Sequence, residues 1–261
     1  MNKLASLFNN KGYKVHKLSN IQCIKNAQRF IINSKHPKIT KQSLFDRQTL
    51  KLQYKLFQNS IHLNIARNEE KFFKKILNVN SLDELSITSF FHLRAVKKSN
   101  KKNNFVGLHR ETFYSDYKYT KHQINVSVPI LNYNDNNSMK VISGSNKIPD
   151  KKFRLKKLSS EESGVEKGSI KHKLGLPYNP KIIISGINPD KARRIKFQPG
   201  KIIIFSAMLI HGGGSNFSSK PRYSIDFAFI KKKDIRNKKI KNHHISYSKS
   251  KKYWIDIPRL N

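Results

Sequence analysis

Between residues 86 and 230 the chain offers one short apolar run after another, each stopped by turn chemistry before it is long enough for a helix. The runs are "SITSFFHLRAV" (86–96), "NFVGLHRETF", "HQINVSVPIL", "SMKVISGS", "PKIIISGI", "GKIIIFSAM" and "RYSIDFAFI". They carry the β-branched and aromatic bias of strands. The clusters between them, such as "NYNDNN", "GINPD" and "QPG", supply the Asn, Asp, Gly and Pro that tight turns use. Strands in series with no long helix inserted predict an antiparallel sandwich or barrel. Upstream, from Ser43 to Leu77, the spacing of Leu44, Leu50, Leu52, Leu56, Ile61, Leu63, Phe72, Phe73, Ile76 and Leu77 predicts one or two amphipathic helices packed outside it. The polar, Gly-containing stretch between Pro149 and Pro177 reads as an insertion or lid over the mouth of the barrel. The expected organisation is an N-terminal helical segment (1–84), a β core (85–230, with the insertion at 150–177) and a basic tail (231–261). In that tail Tyr253, Trp254 and Ile257 can dock back on the body.

Length and composition narrow the class. A chain of 261 residues with 16 Phe and 10 Tyr can bury one sizeable core, so disorder throughout is not expected. The formal charge of +37 suggests a phosphate-rich partner when taken alone. Lys far outnumbers Arg, however, Asn and Ile are abundant, and the lysines run along the whole chain, as AT-rich codon usage would produce. The charge therefore reads as an evenly basic solvated surface, able to attract an anionic substrate. One cysteine, Cys23, rules out an internal disulfide. There is no apolar leader and no window approaching a membrane span, which gives the expectation of a cytoplasmic protein.

The chemistry starts from "GLHRETFYSD". If residues 105–113 form a strand, His109 and Glu111 share a face, which is what two ligands of one metal need. An accidental pair is the competing reading for this motif alone. Far downstream, "PGKIIIFSAMLIHGGGSN" brings a strand to His211 and lets three glycines pack around it. Arg222 and Ser224 follow in "RYSIDF", where Arg222, Ser224 and Asp226 fall on one strand face and Tyr223, Ile225 and Phe227 on the other. A charged inner face is costly unless the cavity holds an anion for the arginine. Two histidines and one carboxylate leave open positions on an octahedral metal, the facial arrangement of non-haem Fe(II) oxygenases. A 2-oxo acid fills two of those positions, and a guanidinium is the natural bidentate partner for the far carboxylate of 2-oxoglutarate.

With these residues in place, the sequence resembles the Fe(II)/2-oxoglutarate-dependent oxygenases of the phytanoyl-CoA dioxygenase-like group over roughly residues 85–230. The resemblance implies a mainly β double-stranded β-helix (jelly roll, cupin-like) with the N-terminal α-helices packed outside. It implies a metal triad of His109, Glu111 and His211, with Arg222 and Ser224 as the R-x-S element for 2-oxoglutarate. "NNSMKVISGSNK" is similar to that group's segment ending in P-G-S-H-K, with Ser143 where Pro is common and Asn146 where His is common. Most members carry Asp where this chain has Glu111, and a carboxylate there argues against the halogenating relatives. "LHRETFYSD" is also similar to a bacterial branch that sits in carbohydrate biosynthesis clusters.

The cofactors expected are Fe(II), 2-oxoglutarate and O2. Asn125, which alternates with Ser127 between Ile124, Val126 and Val128, is a further candidate for binding 2-oxoglutarate; a half-solvated strand is the alternative. Arg94 and Tyr114 are the substrate candidates, whereas His92 and His122 read as surface or strand-edge residues. The expected partner is a small, carbohydrate-derived or anionic substrate that the enzyme hydroxylates or otherwise oxidises, with release of succinate and CO2. Competing readings are a cupin-like metal enzyme without 2-oxoglutarate, such as a sugar isomerase, and a basic nucleic-acid-binding protein on a jelly-roll scaffold. No RNA-binding aromatic signature accompanies the lysines, which argues against nucleic acid. The sequence does not bear on oligomeric state.

Overall fold

The structure is a computed structural model that describes residues 10–34, 47–96, 98, 107–114, 118–163, 166–168, 179–235 and 253–258. Its strands are β1 (Tyr13–Lys17), β2 (Leu85–Thr88), β3 (His92–Val96), β4 (Ile124–Leu131), β5 (Lys140–Val141), β6 (Arg154–Lys157), β7 (Lys181–Ser185), β8 (Arg193–Arg194), β9 (Lys201–Ser206), β10 (His211–Gly212), β11 (Arg222–Lys231) and β12 (Trp254–Asp256). Its helices are α1 (Gln22–Asn33), α2 (Arg47–Phe57), α3 (Ile61–Asn68), α4 (Glu70–Leu77) and the one-turn α5 (Ser160–Ser163).

A seven-stranded sheet runs β1-β9-β4-β11-β2-β12, with β3 pairing the first half of β11. A three-stranded sheet runs β10-β5-β8, and β6 pairs β7 as a ribbon. Every named pairing is antiparallel. The alternation of three strands sorts the large sheet into two faces. Val126, Val128, Ile202, Ile204, Tyr223, Ile225, Phe227 and Phe229 join one core with Ile24, Ile31, Leu56, Ile65 and Phe73 of the helices. On the opposite face, Ile203 and Phe205 join Tyr133, Met139, Val141, Ile195, Phe197 and Leu209 around the small sheet. β9 is thus apolar throughout because both of its faces are covered.

Local chemistry explains several departures from the expected pattern. The helical region is three helices after residue 47, not one or two. Ser60 turns left-handed (φ 48) between α2 and α3, and Glu69 separates α3 from α4. The Glu69 carboxylate accepts from His16 Nε2 (2.8 Å) and from the Ser19 hydroxyl (2.7 Å), tying the helices to the end of β1. Asn78, left-handed at φ 51, stops α4. A Ser81/Glu84 capping box then leads into β2. The single strand expected over 86–96 is two, β2 and β3, bent between them. β1 and α1 add elements that the sequence reading did not assign. β1 and β12 come from either side of 85–230 and stand in the same sheet, Trp254 and Ile257 being buried.

The polar stretch after Pro149 contains β6 and α5, and residues 169–178 lie outside those described. The β6-β7 ribbon carries Leu155 and Ile183 onto a cluster of Phe113, Ile142, Phe153 and Ile210. At its exit Gly186 has φ +95, and a Cβ there would meet the Lys152 carbonyl at 2.1 Å, so only glycine fits. His243 and His244, which the sequence places in the solvated basic tail, lie outside the described residues.

Candidate metal centre

His109 and His211 come from segments far apart in the chain and meet as a single antiparallel bridge. The His109 N–H donates to the His211 carbonyl (2.9 Å), and the His211 N–H donates to that of His109 (3.0 Å). The strand expected over 105–113 does not form among the described residues, which here begin at 107. After the bridge the chain enters a 3-10 turn, Glu111–Phe113, with the Glu111 N–H on the Ala207 carbonyl (3.1 Å). His109 and Glu111 therefore do not meet by strand alternation. The glutamate side chain reaches back from the turn and sets Oε1 3.2 Å from His211 Nε2 and 3.9 Å from His109 Nε2.

Backbone carbonyls choose the tautomers. His109 Nδ1 lies 2.7 Å from the Gly107 carbonyl and His211 Nδ1 lies 3.0 Å from that of Leu209. A carbonyl only accepts, so each Nδ1 carries the proton and each Nε2 keeps its lone pair for the centre. Burial, with the neighbouring charge of His211, pushes His109 down to about 3. Burial opposes ionisation of Glu111, yet the proximity of His211, then of His109 and Arg94, outweighs it and holds the carboxyl at about 2. At neutral pH both are in the protonation state a metal requires. One donor atom from each of His109, Glu111 and His211 lies within 4.8 Å of the others. The Phe205 ring packs edge-on to His211 (4.7 Å) and Tyr114 edge-on to His109 (4.6 Å), which limits water at the rings.

The polar residues of the large sheet occupy the face turned away from the helices. Arg94 stands opposite Ser224, His92 opposite Asp226, and Ser127 opposite Asp226 on the other side. Asn125 and Ser127 are buried, not half-solvated. The Asn125 Oδ1 accepts from Gln123 Nε2 (2.7 Å), whereas its Nδ2 has no partner. Arg222 is buried, lies 5.2 Å over the Tyr133 ring, and keeps Nε and Nη1 without a hydrogen bond among the described residues. Burial pulls its pKa below the usual guanidinium range. Unmet donors on a buried cation are expensive, and a carboxylate is the group that would meet them. Arg94 pairs with Asp226 beside the centre. Burial raises the Tyr114 hydroxyl well above the usual phenol range, so it stays a donor.

His92, expected at the surface or at a strand edge, is the first residue of β3, which pairs only β11. It is half-buried on this polar face, and burial, then the charge of Arg94, lowers it to about 4. The sequence reading also passed over Tyr133, Arg194 and Arg110, whose partners arrive from distant turns. Arg194 donates to the Ser138 carbonyl (2.9 Å) and its charge depresses Arg222 further.

A mainly β chain with this donor set and an unsatisfied buried guanidinium belongs to the 2-oxoglutarate-dependent non-haem iron oxygenases, which use Fe(II), 2-oxoglutarate and O2. More narrowly, residues 19–224 match the phytanoyl-CoA dioxygenase (PhyH) family, and the chain is a member of it. Its fold is shared with EvdO2 from Micromonospora carbonacea var. aurantiaca, at 9% identity and a TM-score of 0.60, covering 88% of this chain and 91% of that one. EvdO2 complexed with 2-oxoglutarate aligns over the same shares at 10% identity and a TM-score of 0.55. The epimerase SnoN, in complex with Fe3+, alpha ketoglutarate and nogalamycin RO, aligns at 13% identity and a TM-score of 0.51, covering 88% of this chain and 82% of that one. No curated protein matches the sequence significantly.

Proposed function

We propose that His109, Glu111 and His211 hold the iron, that Arg222, Ser224 and Asn125 receive 2-oxoglutarate, and that the enzyme oxidises a C–H bond of a small, carbohydrate-derived or anionic substrate. The two facing sheets are read as the halves of a double-stranded β-helix. When bound, iron with 2-oxoglutarate and O2 supplies the oxidising power, with succinate and CO2 released. The chain's own work is positioning. The carbonyls of Gly107 and Leu209 aim the two Nε2 lone pairs, and Glu111 adds one charged oxygen. Arg222 offers Nε and Nη1 to the far carboxylate, and the Asn125 amide stands on the same sheet face further along β11, opposite Ala228. Arg94, held by Asp226, and the neutral Tyr114 hydroxyl face the substrate.

The observation that carries this reading is the convergence of the three donor atoms within 4.8 Å. The unsatisfied guanidinium of Arg222 favours it over a metal isomerase, which needs no inward cation. The cosubstrate in the EvdO2 and SnoN complexes supports the same choice, and the nogalamycin RO in the SnoN complex supports a small-molecule substrate. The test is anaerobic addition of Fe(II) and 2-oxoglutarate to the purified protein, followed by its weak visible charge-transfer band. The band is expected in the native chain and absent in His211→Ala. Its absence from intact protein, or its persistence in the variant, would sink the assignment.

A further inference from the structure

Arg110 lies between His109 and Glu111, and its side chain is 0% exposed. A guanidinium removed from water costs several kcal/mol unless its donors are met. Nη1 donates to the Asp150 carboxylate, Nη2 donates to the Ser145 carbonyl and to that of Ile148 (2.7 Å), and the group lies 4.6 Å over the Phe153 ring, while Nε has no hydrogen bond among the described residues. All four partners sit in one short stretch, 145–153, directly before β6.

The same stretch receives the other half of the centre. The Ser145 hydroxyl accepts from the Ile210 N–H (2.8 Å), and the Ile142 N–H donates to the Ile210 carbonyl (2.9 Å). Ser145 therefore contacts the neighbour of His109 and Glu111 through its carbonyl and the neighbour of His211 through its hydroxyl. The two histidine segments also touch each other directly, through the His109–His211 bridge and through the Glu111 N–H on the Ala207 carbonyl. Those contacts are all main chain to main chain. The Arg110 side chain adds a tie to a third stretch, the one that also receives Ile210, and donor atoms that share one ion need such outer support to hold one geometry.

We propose that Arg110 is a positioning residue for the metal centre: by clamping the 109–111 segment to the stretch 145–153, it sets the angle at which Glu111 meets the two histidines. The inference rests on the reading of His109, Glu111 and His211 as the iron site. Arg110 touches neither iron nor cosubstrate, so its effect falls on iron affinity and on the spectrum. Binding of 2-oxoglutarate, which rests on Arg222, is left unchanged.

The experiment uses the full chain under anaerobic conditions, titrated with Fe(II) and then with 2-oxoglutarate, in Arg110→Gln, Arg110→Lys and Asp150→Asn, with His211→Ala as control. Circular dichroism and thermal melting select folded variants. Arg110→Gln is expected to lose about 10- to 100-fold in Fe(II) affinity, the range for partners that orient metal ligands. Arg110→Lys keeps the charge but not the fork, and should recover part of the loss. Asp150 is half exposed, so Asp150→Asn should weaken iron without unfolding the chain. In each, the charge-transfer band of the loaded protein should shift while the apparent affinity for 2-oxoglutarate holds. If Arg110→Gln does not fold, the other two variants decide. Folded Lys and Asn variants with native iron affinity and a native band would overturn the proposal. Should His211→Ala keep its band, the iron site itself is wrong. A lost band there beside native-like Arg110 and Asp150 variants defeats only the clamp.

Discussion

Replacing Arg222 separates binding from stability in one residue. The side chain is buried over the Tyr133 ring, with Nε and Nη1 unmet among the described residues. Truncating one partner of a buried, hydrogen-bonded charge pair costs about 2–5 kcal/mol. Each 1.4 kcal/mol is a factor of ten, so Arg222→Met should weaken 2-oxoglutarate by roughly 30- to several-thousand-fold. Fe(II) affinity should change less than about threefold, because Arg222 is outside the donor set. Without ligand the sign reverses. The unpaired cation is then a burden, and an apolar side chain of similar length should stabilise the unloaded protein by about 1–4 kcal/mol. Calorimetric titration of the Fe(II)-loaded variant and urea unfolding of the unloaded one measure the two effects. A loss of 2-oxoglutarate affinity below tenfold, an equal loss of iron, or a destabilised unloaded variant would each refute the reasoning.

Two further outcomes follow from the same geometry. Glu111 acts from a 3-10 turn, so Glu111→Asp withdraws the carboxylate by about one bond. Although aspartate is more frequent at this position among the relatives the sequence resembles, turnover should fall on the order of a hundredfold, the usual effect of an ångström of misplacement; native turnover of 2-oxoglutarate in the aspartate variant would contradict this. His62 is buried against Phe57, Phe91 and Phe227, and burial lowers it from 6.5 to about 3. Between those values the unfolded chain binds the proton and the folded chain does not, so stability is lost as pH falls from about 6.5 toward 3. From pH 7 to 4.5 the native chain should lose about 3 kcal/mol more than His62→Leu in urea unfolding; parallel pH profiles would remove His62 from the account.

β4 and β11 were legible because their apolar and polar residues alternate, and β9 because a strand covered on both faces is an unbroken apolar run. β4, β9 and β11 fall where the runs "INVSVPIL", "KIIIFS" and "RYSIDFAFI" place them. β1, "YKVHK", was not, since a short Lys-rich edge strand takes its pairing from β9 and shows little pattern of its own. α1 did carry a signal, with Ile24, Ala27 and Ile31 on one buried stripe, but polar residues between them diluted it. The conformation of Glu111 was illegible because the carbonyl that holds its turn belongs to Ala207, distant in sequence. Arg110 was hidden for the same reason. In a Lys-rich chain a charged residue reads as solvated, and only the turn at 145–150 shows that its charge is met inside the protein.

The bridge between His109 and His211 also ties the centre to the way the chain closes on itself. Two backbone hydrogen bonds join these segments, so closing the long loop between them belongs to the pairing of the sheets. Main-chain pairing thus brings two distant donors side by side, and only side-chain rotamers are left to complete the centre.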